Sequence, residues 1–134
     1  MISENVLKEI KRRRIEESKL YNNYIKYSKE GEIIKASEFL WGSINNIVYS
    51  IGLLHGKKIG KHSLIIQAIR ELAIKHGKKE YERYATSCEA IHSNFYHAWM
   101  DREVFMEEAR EVEELRKWLI ELLELEISRL MLNK

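Results

Sequence analysis

The chain has 134 residues with six glycines, one cysteine, no proline and a formal net charge of +2. That length suits one domain, residues 1–134, with one core, and a lone cysteine excludes a disulfide framework or a paired-cysteine metal knuckle. No apolar run nears the roughly 18 residues that span a bilayer, so no membrane partner is expected, and the opening MISENVLKEIKRRR lacks a secretory core, which makes the cytoplasm the expected location.

Of the 21 acidic residues all but Asp101 are glutamates, and Gln67 is the single glutamine. Glutamate, lysine and arginine favour helices, whereas aspartate is poor inside them. The same lysine and glutamate enrichment matches a thermophile pattern, against which stand seven asparagines. Charge is unevenly spread: +3 over residues 1–30, +5 over 31–79 and −6 over 80–134. Such asymmetry marks a nucleic-acid or partner surface, or else opposite charges interleaving on neighbouring helices.

Ser3 is placed to cap a first helix running to about Lys29 and ending at Glu30-Gly31. Val6, Ile10, Tyr21 and Tyr24 share one face, flanked by Leu7, Leu20 and Ile25, but Arg13, Arg14 and Glu17 interrupt it. Burying a charge costs several kcal/mol unless it is well paired. This stretch is therefore expected to overhang the bundle or stay partly exposed, the other reading being a charged cluster held inside.

A second helix, Glu32 to about Leu54, is the most apolar, with Ile33, Ser37, Leu40, Trp41, Ile44, Ile47, Val48, Ile51 and Leu54 at helical period. Its Gly42 and Gly52 point to close approach by a neighbour, since glycine costs about 1 kcal/mol against alanine inside a helix. After a loop through Lys57, Lys58 and Lys61, Ser63 is expected to cap a third helix with Leu64, Ile65, Ala68, Ile69 and Leu72 inward, ending at His76-Gly77. A fourth helix starts near Lys79 and turns Tyr81, Tyr84, Ala85, Cys88, Ile91, His92 and Phe95 to one side. Asp101 then caps the last helix, and Met100 with Phe105 occupies the positions of a hydrophobic staple. That helix buries Phe105, Val112, Leu115, Leu119, Leu122, Leu123, Ile127 and Leu130. The fold class is all-α, an antiparallel bundle of about five helices.

Thirty residues of helix make a rod of roughly 45 Å, longer than the diameter of about 36 Å for a compact domain of this size. The last helix should therefore protrude. Trp118, Leu125 and Leu132 form a second apolar line on its flank, which predicts a homodimer packed partly there.

No phosphate loop, zinc-protease pair or nucleophile elbow is present, and no cofactor is expected. Cys88 and His92 lie four apart, but the sequence offers no third metal ligand, so no metal site is expected. The run from Ile91 to Trp99 gathers His92, Ser93, Asn94, Tyr96 and His97. Two imidazoles can share the acid and base roles of metal-free RNA cleavage, with positive groups stabilising the phosphorane-like transition state; helix-end histidines bonding carbonyls are the ordinary alternative. Arg13, Arg14, Lys57, Lys58, Lys61 and His62 are the candidate nucleic-acid contacts, since cations neutralise phosphates without reading sequence. Solvated helix ends explain the lysines equally well.

The segments Ala36–Gly42, Lys61-His62-Ser63-Leu64 and Ile91–Tyr96 resemble the archaeal PaREP family, which is similar to HEPN domains. That resemblance implies an all-helical, HEPN-like bundle that commonly dimerises. Many HEPN proteins are metal-independent ribonucleases that carry an arginine and a histidine separated by four to six residues. Here the matching stretch is His92 to His97, with His92 where the arginine should stand. Arginine supplies a permanent charge and a fixed donor fork, and a histidine near pH 7 does not. The resemblance with this departure implies a non-enzymatic or catalytically degenerate homodimer that binds nucleic acid, nucleotide or a protein partner. The alternative is a ribonuclease using His97, with His92 or a nearby arginine such as Arg14 in the arginine role.

Overall fold

The computed structural model describes residues 2–132. They form five helices and, among the described residues, no strand: α1 (Glu4–Lys29), α2 (Ile33–Leu54), α3 (His62–Lys75), α4 (Lys79–His97) and α5 (Arg102–Leu132). None of these helices is long and apolar enough to cross a membrane. The caps follow local chemistry. Ser3 accepts the Val6 N–H at 3.1 Å, and Asp101 accepts the Val104 N–H at 2.8 Å, with Met100 and Phe105 both buried beside it. Ser63, in contrast, lies inside α3 rather than capping it; Lys61 takes that position and offers no side-chain acceptor.

Helix α2 is the centre of the molecule. Its Leu40, Ile44, Val48 and Ile51 are all but inaccessible to water, and the helix packs against α1, α3, α4 and α5. Neighbouring helices run antiparallel in α1/α2, α3/α4 and α4/α5. Thus Glu17 meets Ser43, Arg70 meets Thr86, and Tyr81 stacks on Trp118. The step from α2 to α3 is different. His62, opening α3, lies against Trp41 in the first half of α2, and Leu72 and Lys75, closing α3, share a cavity with Ile51 and His55 at its far end. Helix α3 therefore runs in the direction of α2, and residues 55–61 carry the chain back along α2.

Gly52 permits that return. A Cβ there would sit 2.9 Å from Ile59 Cδ1 and 3.0 Å from the Lys57 carbonyl oxygen, while the Gly52 carbonyl accepts the Lys57 N–H at 2.9 Å. At Gly42 the close neighbour is Leu20 of α1, 3.2 Å from a built Cβ. The inward face of α3 is also rotated from expectation: Ile66 is buried and Leu64 is 42% exposed.

The charged interruption of α1 is exposed at Arg14 and partly exposed at Arg13, as expected, but not at Glu17. Glu17 is only 5% exposed, and Arg116 of α5 grips its carboxylate with Nε at 2.6 Å and Nη2 at 3.1 Å. The Ser43 hydroxyl donates to the same carboxylate, and the Arg116 guanidinium lies 3.5 Å above the Tyr21 ring. Tyr21 in turn donates to Glu113 at 2.8 Å, and burial together with that carboxylate pushes its phenol up to about 12. Among the described residues no Cα of α1 comes within 8 Å of a Cα of α5. Long polar side chains bridge the space between them, including Arg14 to Glu124 at 2.6 Å.

Removing one partner of a buried pair strands the other charge. Glu17→Ala should therefore lower unfolding free energy by about 3 kcal/mol, read from urea titrations. The paired replacement Glu17→Leu/Arg116→Met should recover most of that loss, and equal losses in both variants would show that the ion pair is not the reason.

Candidate functional site

The start of α3 and the end of α4 meet at the helix α2 end that carries Trp41. His92 faces inward from α4, its ring 4.4 Å from Trp41, 4.4 Å from His62 and 5.0 Å from Tyr96. His62 stands edge-on to Trp41 at 5.3 Å. Around them a surface cleft is lined by Glu89, Ser93, Tyr96, His97 and Trp99. Tyr96 is 66% exposed and Trp99 52% exposed.

The turn that presents Trp99 is built by Asn94, which is wholly buried. Its Oδ1 accepts the Met100 N–H at 2.9 Å, its Nδ2 donates to Ser37 Oγ at 3.0 Å, and its carbonyl accepts the Ala98 N–H at 2.9 Å. Ala98 pays for the sharp turn with a left-handed backbone, φ 48°, a conformation that carries a steric cost for any residue with a Cβ. Asn94 thus fixes the lip of the cleft and is not itself part of its lining.

Electrostatics inside the cleft are weak and mixed. Burial, with the neighbouring His62 imidazole second, pushes the His92 pKa below its ordinary value, and Glu89 opposes the shift. His92 Nδ1 is buried with no hydrogen-bond partner. Glu89 is 3.7 Å from His62 and 4.0 Å from Arg70, which also donates to Thr86 at 3.2 Å. Lys61, the N-cap residue of α3, is exposed, and no side chain caps the helix there. Cys88 sits fully buried one turn from His92, and burial raises its thiol far above the usual range, which makes it an inert packing group. Among the described residues no group of three or more histidine, cysteine or acidic side chains is placed to hold a metal ion.

The sequence-predicted residues separate into groups. His92, His97 and His62 line one cleft, with Lys61 adjoining His62 in the chain. Lys57 lines a different cavity, together with Lys75, and Lys58 is exposed in the same loop. Arg13 and Arg14 are on α1, which has no Cα within 8 Å of α4. Arg13 bonds Glu9 and Asn46 and covers the Tyr49 ring, and Arg14 bonds Glu124. The arginine that shares a carboxylate with the cleft is Arg70, which sequence spacing does not single out. Trp41 is 8% exposed and reads as core by periodicity, yet it is the floor on which both imidazoles rest. On α5, Trp118 is half-buried against Tyr81 and His76, whereas Leu125 is 48% and Leu132 84% exposed.

A family model described as the Archaeal PaREP1/PaREP8 family matches residues 12–116, which takes in α2, α3, α4 and the whole cleft. Among curated proteins and solved structures, none matches the chain.

A histidine whose folded pKa lies below its unfolded value binds its proton more readily in the unfolded chain. His92 accordingly contributes nothing to pH dependence at pH 8 and lowers stability as the pH falls below about 6.5, the ordinary imidazole value. In thermal melts, wild type should lose more between pH 7.5 and 5.0 than His92→Gln does. Identical losses would remove His92 as the cause.

Proposed function

Given that the chain belongs to the archaeal PaREP1/PaREP8 family, we propose that it is a non-enzymatic nucleic-acid-binding protein that holds single-stranded RNA at the α3–α4 cleft. The observation that carries this reading is the pairing of two exposed aromatic rings, Tyr96 and Trp99, with the imidazoles of His62 and His92 on one lip. Aromatic side chains held open to water offer stacking surfaces, and each stacked base is worth about 1–3 kcal/mol without sequence preference. Phosphate would sit at the uncapped start of α3, where Lys61 and the positive end of the helix dipole act together.

Binding suits this chemistry better than cleavage does. Strand scission needs a positive group beside the phosphorane-like transition state, and the position that an arginine would fill holds His92, whose neutral form is favoured. One observation favours cleavage instead: two imidazoles, His62 and His92, lie 4.4 Å apart, and His97 lines the same cleft. The protein acts as a homodimer in this proposal, because Leu125 and Leu132 leave an apolar flank of α5 uncovered.

With a labelled single-stranded RNA at fixed salt, Trp99→Ala and Tyr96→Ala should each weaken binding about tenfold, as the loss of one stacked base predicts. Lys61→Met should flatten the salt dependence by about 0.7 in log–log slope. Affinity untouched by the aromatic variants would move RNA off this cleft. Incubation of the same RNA in EDTA should leave it intact; cleavage by wild type that His92→Ala/His97→Ala abolishes, with helicity retained, would establish the ribonuclease in place of the binding protein. Light scattering at tens of micromolar should give twice the chain mass, and Leu125→Glu/Leu132→Glu should return it to one.

A further inference from the structure

A second concavity lies at the other end of α3, far from the aromatic cleft and independent of its function. It is a cavity of about 250 Å³ between the last half of α2, the last half of α3 and the returning segment around Ile59. Its walls are aliphatic: Val48, Ile51, Ile59, Ala68 and Leu72. Gly52 belongs to the same wall, and a methyl group there would push into Ile59 and the Lys57 carbonyl.

The polar groups at the mouth differ in how they are engaged. His55 is bonded to the buried carboxylate of Glu126 at 2.9 Å, and Glu71 accepts from Gln67 at 3.0 Å. Lys57 and Lys75 line the cavity and are both exposed, and among the described residues neither takes part in an ion pair. The bond from a neutral amide leaves the Glu71 charge in place, but Lys57 and Lys75 outnumber it in the lining. An aliphatic chamber with that excess of cations matches a ligand that is apolar along its body and anionic at one end. A nucleobase is a poor match, because the one ring of the lining, the His55 imidazole, is already bonded to Glu126, and no amide or hydroxyl side chain lines the wall to read a base edge. Size sets the length of the body. An apolar cavity of about 150 Å³ takes benzene, so one of this volume takes roughly eight to ten carbon atoms.

We propose that this cavity binds a medium-length aliphatic carboxylate, its chain against Ile51, Ile59 and Leu72 and its carboxylate between Lys57 and Lys75. The shape arises from the backward run of residues 55–61: the same Gly52 contact that folds the loop onto α2 closes one side of the chamber. No bond is made or broken in this site; the ligand is held by apolar burial and two charge-assisted contacts.

Octanoate is the probe, titrated calorimetrically into the full chain at low ionic strength, with 1-octanol and acetate beside it. Octanoate should saturate at one per chain and raise the melting temperature. Octanol should bind at least about tenfold more weakly for want of the charged contacts, and acetate should show no saturable heat. Ala68→Phe, which fills the chamber, should abolish octanoate binding. Lys57→Met/Lys75→Met, which changes only surface groups, should reduce octanoate to the level of octanol even if the filled variant does not fold. Absent saturation, a stoichiometry well above one, or equal binding by wild type and the lysine variant would each overturn the assignment. Trp99→Ala, at the distant cleft, should leave octanoate binding unchanged, so failure here and failure of the RNA-binding reading are separate results.

Discussion

The contact of Ile59 and the Lys57 carbonyl with Gly52 decides where the rest of the molecule can sit. Were residues 55–61 a tight hairpin, α3 would start beside Leu54 and run back along α2, and its histidine would lie at the opposite end of the molecule. Because the segment lies flat on α2 instead, α3 begins beside Trp41 and runs with α2. His62 thereby reaches His92 of α4, and the ends of α2 and α3 are left diverging around an aliphatic chamber. One glycine without a side chain thus shapes both concavities. An alanine there would push aside the Ile59 side-chain tip and press on the Lys57 backbone carbonyl, 3.0 Å from its Cβ.

A different device holds α1. Its backbone packs on α2 alone, drawn close at Gly42 by Leu20, and it reaches α5 only through side chains. A carboxylate in that seam would be costly if left alone. The bidentate guanidinium of Arg116, the Ser43 hydroxyl and the Tyr21 ring together satisfy Glu17 and its partner, so the desolvation is offset by hydrogen bonds of fixed direction. The consequence is orientational: a charge pair in one register locks the rotation of α1, which an apolar stripe alone would allow to slide.

Much of this was legible in the chain, and the parts that were not share a physical cause. Helix number and limits follow from 3.6-residue periodicity and from caps such as Asp101, whose chemistry is local. The direction of α3 is set by how the loop lies on α2, through Lys57 and Ile59 against Gly52, and Gly52 signalled only that something approaches closely. Burial of Glu17 depended on Arg116, ninety-nine positions distant, which no local pattern connects to it. The same holds at the cleft. The run around His92 supplies one side of the cleft, yet His62 came from the charge pattern of the loop and Trp41 from the core period. Only packing unites the three.

The pairing of His62 with His92 carries a further constraint on chemistry. Two imidazoles 4.4 Å apart make protonation of His92 costly, since burial and the neighbouring His62 ring both disfavour its charged form. An arginine in place of His92 would impose a permanent charge on that floor and would require a carboxylate to answer it. Glu89 is the nearest carboxylate to His62, and it is already shared with Arg70. With His92 held toward its neutral form beside Trp41, the cleft presents planar, polarisable surfaces rather than strong fixed charge. Such surfaces favour stacking on a base over stabilising a dianionic transition state. Fixed positive charge stays outside, at Lys61 and the start of α3, where a phosphate can meet it in water.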